Sequence, residues 1–156
     1  EATNEQKEEW LTQKNEDYLG YINTMDDSEI LPGVMTVLNF LKANNQPIIL
    51  GSASKNARPI LEKVNILHLF DDIVDGNDVS NAKPDPEVFL VGAKKANQTN
   101  KNSIVFEDSV AGIRAANSAG MMSIGIGEAS VLHEADIVFN DFNQISEEFL
   151  TELINK

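Results

Sequence analysis

The sequence predicts an α/β domain built around a buried parallel sheet, and three observations carry that prediction. Short, continuously apolar runs recur along the chain instead of alternating apolar and polar residues. Segments of helical periodicity with their own start and stop signals separate these runs, as βαβ units require. No internal repeat, low-complexity tract or flexible linker interrupts the pattern.

Taken in order, residues 4–25 read as one helix. Thr3 and Gln6 form a candidate capping box, and Leu11, Tyr18, Ile22 and Met25 recur on one face. Lys14 and Asn15 interrupt that face. Asp26-Asp27-Ser28 ends the helix, and Leu31-Pro32-Gly33 turns the chain into a second helix carrying Val34, Val37, Leu38 and Leu41. Pro47–Leu50 is a strand, followed by a helix over Asn56–Val64 with Pro59 in its first turn, where a missing N–H is harmless. Asp72–Asp75 is a short strand. Pro86–Ala96 is a helix with Asp85 as N-cap and Pro86 at its first position. Ser103–Phe106 is a strand, and Val110–Ala119 a helix ended by Gly120. Strands over Ser123–Ile126 and Asp136–Phe139 precede a closing helix over Ser146–Ile154. The candidate boundary lies near Glu29–Leu31, where a lone helix meets the α/β body.

Composition narrows the function. With 156 residues, 42% of them hydrophobic, the chain is long enough to bury a core. No run of about 18 apolar residues exists, so a membrane span is not expected, and neither is a signal peptide. The absence of cysteine excludes disulfides and thiolate metal sites and fits a cytoplasmic location. A net charge of −13 argues against nucleic acid, whose phosphates need a basic footprint. In so acidic a chain, a few lysines close to small hydroxyls stand out.

Three segments bring such groups together: Gly51-Ser52-Ala53-Ser54-Lys55-Asn56, then Asn81-Ala82-Lys83-Pro84-Asp85-Pro86, then Phe106-Glu107-Asp108-Ser109. Ligands of open α/β sheets bind at the carboxyl ends of strands, where Ser52 and Glu107-Asp108 both fall, and Lys83 can reach the same edge from its loop. Residues 52–56 lead from a strand into a helix N-terminus, offering N–H groups, hydroxyls and one cation to a phosphate; Ser54 or Asn56 could equally be a plain cap. The turn chemistry of Asp85 and Pro86 accounts for its own segment and leaves Lys83 unexplained. Two adjacent carboxylates at the end of a buried strand are costly unless paired, capping or coordinating a cation, and oxygen donors of this kind suit Mg²⁺; Asp108 or Ser109 could also cap the next helix. His68 and His133 have no partner at ligand spacing and read as surface or packing residues.

These segments resemble motifs two to four of the haloacid-dehalogenase superfamily, in detail its β-phosphoglucomutase branch. The resemblance implies a Rossmann-like core over 30–156, with residues 1–29 forming the C-terminal helix of a helical cap. It also implies phosphoryl transfer between β-glucose 1-phosphate and glucose 6-phosphate through a bisphosphate, with Mg²⁺ as cofactor and a phosphorylated sugar as partner. Ser52 and Lys83 would be catalytic. Lys14, Ser52, Ala53, Ser54, Lys55 and Asn56 would bind substrate, and Glu107 and Asp108 the metal. A sugar-phosphate phosphatase of the same superfamily is the nearest alternative, and a non-catalytic phosphate- or metal-binding fragment the next. The superfamily's first motif, a strand ending in Asp-x-Asp that supplies the nucleophile, is absent from this sequence. In the family that strand lies between those ending at Ser52 and at Phe106. The expectation is therefore a portion of a longer, monomeric protein, inactive by itself and needing its N-terminal segment.

Overall fold

A computed structural model describes residues 3, 6 and 30–156. Thr3 and Gln6 make the expected reciprocal cap: Thr3 N–H donates to Gln6 Oε1 at 2.9 Å, and Gln6 N–H donates to Thr3 Oγ1 at 3.2 Å. The rest of the segment assigned to a cap, Lys14 and Asn15 included, lies outside the described residues.

From Ile30 onward the order is α1 (Val34–Ala43), β1 (Ile49–Gly51), α2 (Ala57–Lys63), β2 (Asp72–Val74), α3 (Glu87–Lys95), β3 (Ile104–Glu107), α4 (Val110–Ser118), β4 (Met122–Ile126), β5 (Ile137–Phe139) and α5 (Glu147–Ile154). Every expected element from Val34 on is present, with ends displaced by one or two residues. At α3 the helix opens at Glu87, and Asp85 Oδ1 accepts the Glu87 N–H at 2.9 Å, so Asp85 does satisfy an orphan donor. Ser109 and Ser146 cap α4 and α5 by accepting the N–H groups of Gly112 and Phe149. Single turns of 3-10 helix at Leu67–Leu69, Asn100–Asn102 and Phe142–Gln144 were not anticipated.

Successive helices stop in the same way. Asn45, Asn65, Asn97 and Gly120 follow the last turns of α1 to α4, all with positive φ. Each donates its N–H three residues back, and the following residue donates five back, as in Asn45 to Lys42 and Gln46 to Leu41. This is the Schellman arrangement, with asparagine supplying the left-handed residue at three of the four sites.

Two parallel sheets result. β1 pairs with β2 from Ile49–Asp72 to Gly51–Val74, and β4 lies between β3 and β5. Among the described residues no ladder joins β1 to β3. The break thus falls between the two strands that would flank an Asp-x-Asp strand.

Both sheets are covered on both faces. Alternation sends Val105 into a cluster with Ala93 of α3, Ala116 of α4 and Ala119 just after it, while Phe106 joins Ile124, Ile126 and Leu150 on the other face. α1 bridges the break by giving Leu38 to the cluster over β1 and β2 and Val37 to the cluster over β4 and β5. α3 closes the opposite side of β1, where a β-carbon at Gly51 would stand 3.2 Å from the Phe89 ring. No helix among the described residues is long and apolar enough to cross a membrane.

Candidate active site

The site lies where β1 and β3 end. Ser52 continues β1, its N–H donating to Val74 O at 2.8 Å, so the first turn of the β1–α2 loop is held in register with β2. The loop then curls on itself: Ser54 N–H donates to Ser52 Oγ at 3.1 Å, and Asn56 N–H to Ser54 Oγ at 3.0 Å. The expected open row of backbone donors is therefore partly closed. Each serine hydroxyl keeps its own O–H proton to donate outward. Ala53 and Lys55 are exposed on this loop, and Ser52, Ser54 and Asn56 are half-buried. Ser54 does act as a local cap for the Asn56 N–H.

Lys83 reaches this edge as expected. Its ammonium forms an ion pair with Glu107 Oε1, lies 3.4 Å from the carbonyl oxygen of Gly51 and stands 4.9 Å from the centre of the Phe89 ring. One cation thus touches the ends of two strands in different sheets. The pair is well shielded, with 17% of the Lys83 side chain and 9% of the Glu107 side chain exposed.

Glu107 ends β3 with both carboxylate oxygens engaged. Oε1 meets Lys83, and Oε2 accepts the N–H of Asp108 at 3.0 Å, the N–H of Ser109 at 3.0 Å and the hydroxyl of Ser109 at 2.9 Å. Burial pushes this carboxyl up, but the hydrogen bond and charge of Lys83, helped by Ser109, outweigh it and hold Glu107 below the usual glutamate range. The negative charge is therefore kept, and Lys83 sees a true counter-ion.

Asp108 is exposed at the rim, and among the described residues its carboxylate has no hydrogen-bond or ion-pair partner. A pair of adjacent oxygen donors fits a hard cation such as Mg²⁺, and Asp108 is the member available to it. Glu107 could turn to a cation only by loosening Lys83. Among the described residues no group of three or more acidic or imidazole side chains is arranged so that it could hold a metal ion.

Sequence reasoning missed three participants. Phe89 and the Gly51 carbonyl carry no signal of their own, because their role follows from how α3 lies across β1. Gly112 is the third: a β-carbon there would overlap the Glu107 carboxylate, so only glycine lets α4 pass this close. His68 and His133 are exposed, as expected. A cavity lined by Ile30, Pro32, Met35, Val64 and Ile66 lies at the start of α1 and includes none of the site residues.

Comparison with known proteins places this geometry in context. A haloacid dehalogenase-like hydrolase model matches residues 1–120. The β-phosphoglucomutase of Bacillus subtilis (strain 168) is 36% identical over 150 residues, 96% of this chain and 66% of that protein. A phosphorylated carbohydrates phosphatase of Thermotoga maritima is 39% identical over 103 residues, 62% of this chain and 47% of that protein. The crystal structure of β-phosphoglucomutase from Clostridium difficile has a TM-score of 0.91 and 40% identity, covering 98% of this chain and 69% of that one. The chain spans roughly half to two-thirds of the length of these curated relatives.

Proposed function

The chain belongs to the haloacid dehalogenase-like hydrolase family, and from that footing we propose that it is the core of a phosphoryl-transfer enzyme acting on a sugar phosphate, in its specific form a β-phosphoglucomutase. The observation that supports this reading best is Lys83, a shielded cation held between the Gly51 carbonyl at the end of β1 and the Glu107 carboxylate at the end of β3, which directly precede Ser52 and Asp108 in the chain.

Phosphoryl transfer asks little covalent chemistry of its surroundings and much positioning and charge. Ser52 would donate its O–H to the transferring phosphoryl group, and Lys83 would neutralise charge on the same group. Glu107 holds the Lys83 ammonium in place. Asp108, with Glu107 beside it, would hold Mg²⁺, which when bound supplies positive charge to phosphoryl oxygens. Ser54, Lys55, Asn56 and Lys14 would hold the distal phosphate and the sugar, with Ala53 lining the same loop. The nucleophile would come from a strand ending in Asp-x-Asp, which this sequence lacks. The 156 residues alone would therefore be silent.

A phosphatase of the same family is the second reading, favoured by the similarity to the Thermotoga maritima enzyme. Incubating the full-length protein with β-glucose 1-phosphate, Mg²⁺ and a trace of the bisphosphate separates the two. Glucose 6-phosphate is the expected product. Free phosphate without glucose 6-phosphate would sink the mutase and leave the phosphatase.

A further inference from the structure

Lys83 is carried by a loop that belongs to no sheet, yet its ammonium is held to Glu107, Gly51 and Phe89. Such a placement is lost unless the loop itself is anchored, because a lysine stem has several rotatable bonds and a free loop has many conformations. Among the described residues, Glu87 is the only side chain that hydrogen-bonds to residues 80–82. Its Oε1 accepts the Ser80 N–H at 2.9 Å, and its Oε2 accepts the Asn81 N–H at 2.7 Å and the Asn81 side-chain amide at 3.0 Å.

Glu87 is also the first residue of α3, and its own N–H is tied to Asp85 Oδ1 at 2.9 Å. The loop entering Lys83 and the loop leaving it are thus fastened to the same helical turn. Two residues further on, Phe89 presents its ring to the ammonium and packs against Gly51. The first turn of α3 therefore fixes both the track along which Lys83 arrives and the surface on which it rests.

We propose that Glu87 is a positioning residue for Lys83: by clamping Ser80 and Asn81 it sets the loop that delivers the ammonium to the ends of β1 and β3. Glu87 touches no reacting atom. The consequence for turnover rests on the phosphoryl-transfer reading, whereas the placement of Lys83 does not.

The test is reductive methylation of the full-length protein with formaldehyde and cyanoborohydride, read lysine by lysine by mass spectrometry. In Glu87→Ala, Lys83 should label about tenfold faster, the factor expected for losing charge-assisted hydrogen bonds. Lys42 and Lys95, which sit in their own ion pairs, should label as in the wild type. Glu87→Gln keeps the size of the side chain and one acceptor oxygen, should show a smaller rise confined to Lys83, and is read alone if the alanine variant does not fold. An unchanged rate at Lys83, or an equal rise at Lys83 and Lys95, overturns the proposal. Turnover measured on the same samples should fall in step with Lys83 exposure. A wild-type protein without turnover would defeat the phosphoryl-transfer reading while the labelling still decides the role of Glu87.

Discussion

Lys83 and Glu107 form an ion pair that joins two sheets sharing no backbone ladder among the described residues. The pair does two things at once. It neutralises a carboxylate that β3 buries, and it fixes a cation against the Gly51 carbonyl at the end of β1. Removing one member leaves the other shielded and uncompensated, which costs more than the pair itself is worth.

Lys83→Met should therefore lower stability by about 2–3 kcal/mol, below the range for fully buried pairs because Lys83 keeps some exposure. The double variant Lys83→Met/Glu107→Gln should recover part of that loss. Urea unfolding of the set checks this, and a double variant no better than the single would show that the cost lies elsewhere. In the full-length enzyme, Lys83→Ala should reduce turnover by about 100- to 1,000-fold, the cost of one lost transition-state donor. Near-normal turnover would remove Lys83 from the machinery.

Gly112 and Gly92 should answer oppositely to alanine. A β-carbon at residue 112 would overlap the Glu107 carboxylate, whereas at residue 92 it would meet Ile49 Cγ2 at an ordinary 3.5 Å and Val74 Cγ2 at 3.8 Å. Gly112→Ala should displace Glu107 and destabilise by about 1–3 kcal/mol or more, as overpacking does. Gly92→Ala should be neutral or stabilising by up to about 1 kcal/mol through helix propensity. Thermal melts compare them directly, and equal effects would refute the assigned contact.

The elements were legible because each follows from local residues: apolar runs for the strands, and Ser109 as a possible cap at the start of α4. Asn45, Asn65 and Asn97 were harder, since asparagine fills the left-handed position that Gly120 advertises openly. Ser52, Lys83 and Glu107-Asp108 could be found as motifs. That Glu107 answers Lys83 could not be read, because the two are 24 residues apart and meet only through the strand order. Ser123 shows the same limit: it is fully buried in β4, and its hydroxyl is satisfied by Asn117 at 2.7 Å and Asp136 at 3.3 Å, partners that only the fold brings near.

Asp71 offers a pH test away from the site. It accepts the Ile48 N–H at 2.8 Å and pairs with Lys42 at 3.2 Å. The Ile48 hydrogen bond, aided by Lys42 and opposed by burial, holds its carboxyl below the ordinary range. A carboxyl lowered in the folded state stabilises fully above its unfolded value, about 3.9, and loses that contribution as pH falls through the folded value. Because the pair is half-exposed, the contribution is under about 1 kcal/mol. Asp71→Asn should be less stable than the wild type near neutral pH, with the gap closing between about pH 5 and about pH 2. A gap that stays constant across that window would refute the linkage.

The edge of β1 that no described strand covers gives a residue-level prediction about the break between the sheets. Ser52 N–H donates across to Val74 of β2. N–H directions alternate along a strand, so Leu50 N–H also faces β2, while Gly51 N–H faces the edge where no strand pairs among the described residues. In the 156-residue chain, Gly51 should exchange its amide hydrogen much faster than Leu50. In a longer protein carrying an upstream strand that ends in Asp-x-Asp, Gly51 should become as protected as Leu50. Phosphomutase turnover should appear only in the longer protein, because a phospho-enzyme needs a correctly placed nucleophile, and Glu107 is already committed to Lys83. Hydrogen exchange read at single amides, beside a coupled glucose 6-phosphate assay, checks both halves. A protected Gly51 in the monomeric 156-residue chain would mean that something else already covers the edge, and turnover by that chain would mean that another carboxylate serves as the nucleophile.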